Sequence, residues 1–243
     1  MIAIITPMQE EFDCYARNFP SSLKMTKAGL DFFSFSYKGM DIVFVKCGIG
    51  EVNAALCTQI IIDEFKADKI ICTGVAGAIN DKLDIGDIVI SKDCVHHDMD
   101  LRFLGFERGQ IPFTEHRFFK ADADLVCIAS KIKINGHKSI IGRVLTGDNF
   151  VQDKEYIKKA RDDLGGDCIE MESAAVGQVC AMNRNVSFIA IRSISDRSDH
   201  AAPKDFQKFL VHAAENAFEI VKGMIDQIIK YNAASSKNSL REG

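Results

Sequence analysis

The sequence predicts a single three-layer α/β/α domain with a central mixed β-sheet. Short apolar runs, among them residues 1–6, 67–79 and 186–196, alternate along the chain with amphipathic stretches of helical period. No Pro- or Ser-rich linker divides the 243 residues, which are 47% hydrophobic and can bury a substantial core. We therefore expect one domain over residues 1–231, and a polar tail over 232–243 whose composition is typical of disorder.

Strands are predicted where short apolar or alternating runs stand between turn residues. Residues 31–48 alternate around Lys38-Gly39, which is typical of a hairpin. Residues 67–79 form a buried strand that runs into a glycine-rich turn, TGVAGA. The other predicted strands are 1–6, 86–98, 139–150, which ends in a turn, and 186–196, and a short strand is expected to end at Glu170 and Glu172. Residues 98–120 show neither period, and an irregular loop is expected there.

Helices are predicted where apolar residues recur with the helical period. The segment 153–165 has the clearest limits, since Asp153 suits an N-cap and Gly165 a C-terminal stop. The other predicted helices are 8–19, 50–65, 173–182 and about 203–230. Helices that alternate with strands in this way favour a mostly parallel or mixed sheet.

Composition and charge exclude several classes of protein. The formal net charge is −4 and no basic block stands out, so neither nucleic acid nor an anionic membrane is an expected partner. No apolar run approaches the roughly 18 residues of a membrane span, and the N-terminus does not resemble a signal peptide. Eight cysteines are scattered without a C-x-x-C pair, which is typical of buried thiols in a reducing compartment. The cytoplasm is the expected location.

Charged residues follow several predicted strands, where α/β proteins bind their ligands. Glu170 and Glu172 lie between a strand and a helix, and Asp196 ends the strand that contains Arg192. A buried guanidinium must be paired, and Glu11, Glu170 and Glu172 are its candidate partners. Taken singly, Glu11 is typical of a solvated helix residue, and Asp196 is typical of a helix cap or turn. Glu170 and Glu172 are as typical of structural pairing with Arg192 as of a functional site.

Metal and nucleotide motifs are weak or absent. His96 and His97 are adjacent, but neighbouring residues of a strand point to opposite faces, so one metal site would rarely use both. Neither G-x-G-x-x-G nor a P-loop occurs in the sequence. We expect no metal site.

A set of motifs, taken in order, resembles the 5′-methylthioadenosine/S-adenosylhomocysteine nucleosidase family of the purine nucleoside phosphorylase-like superfamily. The resemblance covers nearly all of residues 1–230, and the E-M-E and R-x-I-S-D blocks are specific in combination. The motifs are IITPMQEE (4–11), CGIGEVNAA (47–55), CTGVAGAI (72–79), VHHDMD and GFERGQIP (95–112), TGDNF (146–150), EMESAAVGQVC (170–180) and AIRSISDRSD (190–199). The family implies hydrolysis of the bond between adenine and an S-substituted ribose, without a metal or organic cofactor, by a homodimer.

The resemblance also implies a role for each matching residue. Asp196 corresponds to the acid that protonates N7 of the purine, and Glu11 to the base that holds and deprotonates a water placed with the help of Arg192. Glu172 corresponds to the residue that holds the ribose hydroxyls, and Glu170 supports Arg192.

Further residues correspond to the walls of the substrate pocket. Their implied roles are stacking on adenine (Phe150), pairing with its edge (the Val151 backbone), orienting the acid or the base (Ser195), lying along the sugar (Met171) and meeting the thioether (Met8, Ile49 and Phe206). Ile111 and Pro112 correspond to an apolar loop that completes the thioether pocket of the neighbouring subunit.

Two other functions remain open at this stage. A phosphorylase of the same superfamily would need Arg or Ser at the CGIG and TGVAG segments, which are apolar here, and Val75 stands where many relatives have serine. A non-catalytic nucleoside-binding protein should have lost Glu11 or Asp196, and both are present. The preferred 5′-substituent, whether methylthio, homocysteinyl, deoxy or aminofutalosine, does not follow from the sequence.

Overall fold

A computed structural model describes residues 1–19, 23–183, 186–198 and 202–239. The strands are β1 (Ile2–Thr6), β2 (Leu23–Lys27), β3 (Leu30–Tyr37), β4 (Met40–Lys46), β5 (Lys69–Ala78), β6 (Ile88–His96), β7 (Phe119–Lys120), β8 (Ser139–Thr146), β9 (Cys168–Glu170) and β10 (Ser187–Asp196). The helices are α1 (Gln9–Asn18), α2 (Glu51–Phe65), α3 (Ala123–Ser130), α4 (Lys154–Leu164), α5 (Ser173–Met182) and α6 (Ala202–Ser239), with a 3₁₀ turn at Arg102–Leu104.

The strands form one mixed sheet whose central part closes on itself. The order is β10-β6-β8-β9-β5-β1-β4-β3-β2, with β7 beside β6, and β10 pairs with β5 as well as β6. Strands β10, β6, β8, β9 and β5 therefore form a closed ring, and the other strands of this order extend from β5. Strands β1, β4, β5 and β10 run parallel in their pairs, whereas β9 is antiparallel to β5 and β6 to β10.

Helices cover the sheet on two sides, which confirms the predicted three-layer α/β/α architecture. Helices α2 and α5 pack on one side, over a core that includes Val45, Ile70 and Val176. Helices α1, α3 and α6 pack on the other, where Phe218 of α6 meets Tyr15 of α1 with ring centroids 5.1 Å apart. Each sheet face thus has its own apolar core, as alternating strand side chains require.

Local signals explain where several elements begin and end. Lys38 and Gly39 both have positive φ, 50° and 82°, and this two-residue turn joins β3 to β4, which confirms the predicted hairpin. The Asp153 carboxylate accepts the N–H groups of Glu155 and Tyr156, and Gly165 ends α4 at φ 70°, so both predicted limits of that helix are confirmed.

The structure departs from the sequence-based expectation at five places. The glycine-rich segment TGVAGA is part of β5 and not a turn. The short elements β2 and α3 were not predicted, because five and eight residues give little period to detect. The irregular loop of 98–120 contains the 3₁₀ turn and ends in β7. Helix α6 continues to Ser239, beyond its predicted end at about residue 230, and residues 240–243 lie outside the described residues.

No helix in the described part of the chain is long and apolar enough to cross a membrane.

Candidate active site

A pocket of about 600 Å³, counted to its open mouth, lies at the carboxyl ends of β1, β5, β8, β9 and β10. It combines a polar floor of carboxylates and hydroxyls with an apolar mouth. The lining residues are Pro7, Met8, Glu11, Ile49, Val75, Ala76, Gly77, Asn149, Phe150, Val151, Ile169, Glu170, Met171, Glu172, Ser195, Asp196, Ser198 and Phe206. Strand β5 pairs with β10 on one side and with the antiparallel β9 on the other. This pairing brings the ends of the three strands together around the pocket.

Glu11 projects into the pocket from the first turn of α1. Its Oε2 accepts the Met8 N–H and its Oε1 accepts the Val75 N–H, both at 2.9 Å. The carboxyl group is buried, and burial raises its pKa to about 7, although Arg192 and the two N–H groups act in the opposite direction. A carboxyl group with this pKa can accept a proton near neutral pH.

Arg192 lies fully buried beneath the pocket and organises the charges around it. Its Nη2 pairs with Glu170 and lies 3.4 Å from Oε2 of Glu172, and its Nε donates to Oγ of Ser173 at 3.1 Å. Glu170 also accepts a hydrogen bond from Oγ1 of Thr146 and from the N–H groups of Glu172 and Ser173. Glu170 is therefore held by protein groups, at the positive end of α5.

Glu172 occupies the N-cap position of α5 and faces the pocket more freely than Glu170. Its Oε1 accepts the Gly50 N–H at 3.0 Å, while its Oε2 is the oxygen near Arg192. Burial raises the pKa of this carboxyl, against the attraction of Arg192. The carboxylate can still accept hydrogen bonds from a ligand, since each oxygen has more than one lone pair.

Asp196 is the last residue of β10 and is 3% exposed. Its Oδ2 accepts a hydrogen bond from Oγ of Ser195 at 2.9 Å, and its Oδ1 accepts the Ser198 N–H at 2.8 Å. Both oxygens are thus oriented by neighbours in the same short segment, and the residue lines the pocket.

Two glycines of β5 make room for these side chains. A Cβ atom on Gly74 would lie 2.5 Å from Oε1 of Glu11 and 2.7 Å from Nη1 of Arg192. A Cβ atom on Gly77 would lie 2.8 Å from Oδ1 of Asp196. The glycines of TGVAGA therefore allow charged side chains to approach the strand closely. Glycines in a strand can have this role, so their presence does not require a turn.

Aromatic and aliphatic residues form the mouth. The rings of Phe150 and Phe206 meet edge to face, with centroids 5.7 Å apart at 82°. Phe206 and Met8 pack with Val75 in a small apolar cluster, and Ile49 is 51% exposed at the rim. A ligand with a flat aromatic part and an apolar end fits this arrangement.

Most of the site residues predicted from the sequence line this one pocket. Arg192 does not reach its surface, and neither Ile111 nor Pro112 lines it within the described part of the chain. Ser198 and Asn149 line the pocket but were not predicted, and their nearness in sequence to Asp196 and Phe150 was the only signal for them.

The adjacent histidines have separate surroundings. His96 contacts Glu51 and Gln178, whereas Nδ1 of His97 lies 2.7 Å from the Tyr156 hydroxyl. Ligand atoms of Glu51, His96 and Asp98 lie within 4.8 Å of one another, which could hold a metal ion. None of the three lines the pocket, and carboxylates near a histidine are common without a metal.

Comparison with known proteins places this fold and site in a family. The model of the phosphorylase superfamily matches residues 1–226. A 5′-methylthioadenosine/S-adenosylhomocysteine nucleosidase of Bacillus velezensis is 35% identical over 230 residues, which is 93% of this chain and 99% of the relative. The nucleosidase of Colwellia psychrerythraea, solved in complex with adenine, is 36% identical with a TM-score of 0.88, covering 93% of this chain and 94% of that one. A futalosine hydrolase of Helicobacter pylori is 29% identical, with a TM-score of 0.87 over 93% and 97% of the two chains.

The chain is thus a member of the phosphorylase superfamily. Within it, the chain belongs to the 5′-methylthioadenosine/S-adenosylhomocysteine nucleosidase family.

The raised pKa of Glu11 predicts a pH-dependent stability. The pKa of Glu11 rises from 4.5 to about 7 on folding, because the folded protein favours the protonated side chain. The contribution of this proton to the free energy of unfolding is therefore complete below pH 4.5 and is lost as the pH rises through 7. Glu11→Gln should therefore gain stability relative to the wild type between pH 5 and 8, by up to about 3 kcal/mol. Urea unfolding of both proteins at pH 5 and at pH 8 measures the gain in stability. Glu10→Gln, in the same helical turn, corrects for the change in net charge. A difference that does not vary with pH would contradict the prediction.

Proposed function

We propose that this protein hydrolyses the N-glycosidic bond of 5′-methylthioadenosine, S-adenosylhomocysteine and related 5′-substituted adenosines, releasing adenine and the thioribose sugar. The observation that carries the proposal is that Glu11, Glu172 and Asp196 line one pocket, with the guanidinium of Arg192 beneath them. The names of the relatives support the same reaction.

Departure of the base requires a proton, and Asp196 is the group we assign to supply it. Adenine leaves poorly as an anion but well as a neutral molecule once its N7 is protonated. Asp196 is buried in the pocket wall, where Ser195 and Ser198 orient its two oxygens. Loss of the base leaves a sugar with oxocarbenium character, as in glycoside hydrolysis.

Attack on that sugar requires a water molecule, and Glu11 with Arg192 is the pair we assign to hold it. Nη1 of Arg192 has no hydrogen-bond partner within the described residues, and it converges with Oε1 of Glu11 on the same face of Gly74. A water there would accept a hydrogen bond from the guanidinium and give a proton to the carboxylate. Proton acceptance by a positioned base is typically worth about 10²–10⁴ in rate.

The sugar lies, in this proposal, against Glu172 and Met171. A carboxylate can accept hydrogen bonds from two vicinal hydroxyl groups at once, which fixes the ribose and favours positive charge beside it. The Gly50 N–H holds the other side of this carboxylate, so the clamp is oriented before substrate arrives. The base stacks on Phe150 with its edge at the Val151 backbone, and the thioether meets Met8, Ile49 and Phe206.

The charge of the pocket disfavours the phosphorylase alternative. Its lining includes no Lys or Arg among the described residues, and Arg192 is already paired with Glu170 and Glu172. Val75 gives no hydroxyl, and ionised Glu11 would repel phosphate. The retention of both Glu11 and Asp196 disfavours a binding protein without activity.

The proposed cellular location rests on the cysteine content, and the proposed oligomeric state rests on exposed apolar side chains. Seven of the eight cysteines are buried and all are free, which supports a reducing cytoplasm. A methylthioadenosine substrate would in turn favour a role in methionine salvage. Phe103 and Phe113 are 79% and 90% exposed, in the same segment as Ile111 and Pro112. So large an apolar exposure favours burial by a second copy, and we propose a homodimer in which this loop closes the partner's thioether pocket.

The reaction class predicts products that can be measured directly. We expect adenine and free methylthioribose from methylthioadenosine in phosphate-free buffer, because water and not phosphate is the nucleophile. Chromatography of the products, with and without added phosphate, checks this. A phosphorylated sugar, or a strict need for phosphate, would support the phosphorylase. The same assay with homocysteinyl, deoxy and aminofutalosine substrates identifies the preferred 5′-substituent.

The three carboxylates should respond differently to amide substitution. Asp196→Asn and Glu11→Gln should each lower kcat by about 10²–10⁴, since neither amide can transfer the required proton. Glu172→Gln should also raise KM, because the ribose clamp acts in the ground state and the transition state. Asp81→Asn, at an exposed site outside the pocket, is the control. Near-native turnover by Asp196→Asn would show that the proton donor is misassigned.

The dimer predicts that one substitution changes both mass and substrate affinity. Phe113→Asp should shift the protein from dimer to monomer in sedimentation and raise KM for methylthioadenosine, since a carboxylate cannot stay buried in an apolar interface without a partner. Leu23→Asp, which places the same charge on exposed β2, should change neither. A wild-type protein that is monomeric at micromolar concentration and fully active would rule the dimer out.

A further inference from the structure

Ser198 is a polar residue of the pocket wall that the reaction described above uses only through its backbone. Its side chain lines the pocket and the residue is 2% exposed. Among the residues that the structure describes, its hydroxyl has no hydrogen-bond partner. A buried hydroxyl without a protein partner gains a hydrogen bond when a ligand supplies one, so such a ligand would be bound more tightly.

The backbone of Ser198 is in an unfavourable conformation that aims the residue at the acid. Its φ of 50° lies in the left-handed region, which is uncommon for residues with a Cβ atom. In this conformation its N–H donates to Oδ1 of Asp196 at 2.8 Å. Strain of this kind persists where surrounding structure holds it, and it is concentrated at functional sites.

Gly77 of β5 provides the space that the Ser198 hydroxyl occupies. A Cβ atom at Gly77 would overlap Oγ of Ser198 and lie 2.8 Å from Oδ1 of Asp196. The hydroxyl and the carboxylate oxygen therefore face the same side of the strand and lie next to each other in the pocket wall. An orphan hydroxyl, a strained backbone and an opposing glycine all place a second polar group beside the acid.

We propose that Ser198 is a base-recognition residue that hydrogen-bonds the substituent at C6 of the purine. This inference rests on the proposed function, in which Asp196 serves N7. N7 and the C6 substituent lie on the same edge of a purine, so a hydroxyl beside the acid meets the neighbouring position. The Ser198 hydroxyl accepts a hydrogen bond from the 6-amino group of adenine, and the resulting specificity favours bases with a polar group at C6.

Equilibrium binding of two free bases tests this role separately from catalysis. The probes are adenine and unsubstituted purine, which lacks the 6-amino group, measured by calorimetry with the wild type, Ser198→Ala and Ser198→Gly. Both variants should bind adenine about fivefold to tenfold more weakly, the value of one neutral hydrogen bond, and should bind purine as the wild type does. Ser130→Ala, on α3 outside the pocket, should change neither affinity.

The two variants also separate the hydroxyl from the backbone. Ser198→Gly accepts the left-handed φ without strain, whereas Ser198→Ala keeps the strain, so equal loss of adenine affinity in both assigns the effect to the hydroxyl. An equal loss for adenine and purine would overturn the proposal, because the residue would then act only through Asp196 or pocket shape. Unchanged adenine affinity, or a wild type that does not prefer adenine to purine, would overturn it as well.

Binding and turnover distinguish this inference from the proposed function. A wild type that prefers adenine through Ser198 but releases no adenine from methylthioadenosine would refute the hydrolase and leave the recognition role intact. A wild type that releases adenine normally while Ser198→Ala keeps its full adenine affinity would refute the recognition role alone.

Discussion

One buried guanidinium allows this pocket to contain several carboxylates. Arg192 is fully enclosed, pairs with Glu170 and Glu172, and lies close enough to oppose the raised pKa of Glu11. Without it, three buried negative charges would repel one another and take up protons. Glu170 is held also by Thr146 and by the start of α5, and it anchors the guanidinium beneath the pocket. The other two carboxylates remain available to a ligand because Glu170 and Ser173 hold Arg192 in place.

The path of β5 sets the distance between the charged groups. Gly74 and Gly77 stand where Glu11, Arg192 and Asp196 press against the strand, and any side chain there would displace them. Such close approach is unusual for charged side chains, which normally keep to solvent. The strand therefore forms a narrow wall, with Glu11 against Gly74 and Asp196 against Gly77. Its pairing with β10 places Arg192 opposite Gly74 and, after a register shift between Ile194 and Asp196, places Asp196 opposite Gly77.

The polar floor and the apolar mouth of the pocket are expected to have different roles. The floor holds ionisable groups whose protonation depends on burial, so it works only when a ligand or the protein excludes water. Phe150, Phe206 and Ile49 form a mouth that is partly open in the single chain. An aromatic and apolar ligand, or a second subunit, would complete the enclosure. Affinity for the substrate is thus expected to come mainly from the mouth, and rate from the floor.

The sequence by itself determined the alternation of strands and helices, the limits of α4 and the β3–β4 hairpin, because these depend on period, caps and turns within a few residues. It also identified Glu11, Glu172, Arg192 and Asp196 as candidates, through the order of motifs. Only the tertiary structure decided that TGVAGA is strand. Its glycines are needed because side chains from α1 and β10 approach the strand too closely for a Cβ atom. The ring closure through β10 likewise brings the antiparallel β9 to the same pocket. Ser198 became visible only there, since an orphan hydroxyl is a property of its surroundings and not of its neighbours in the chain.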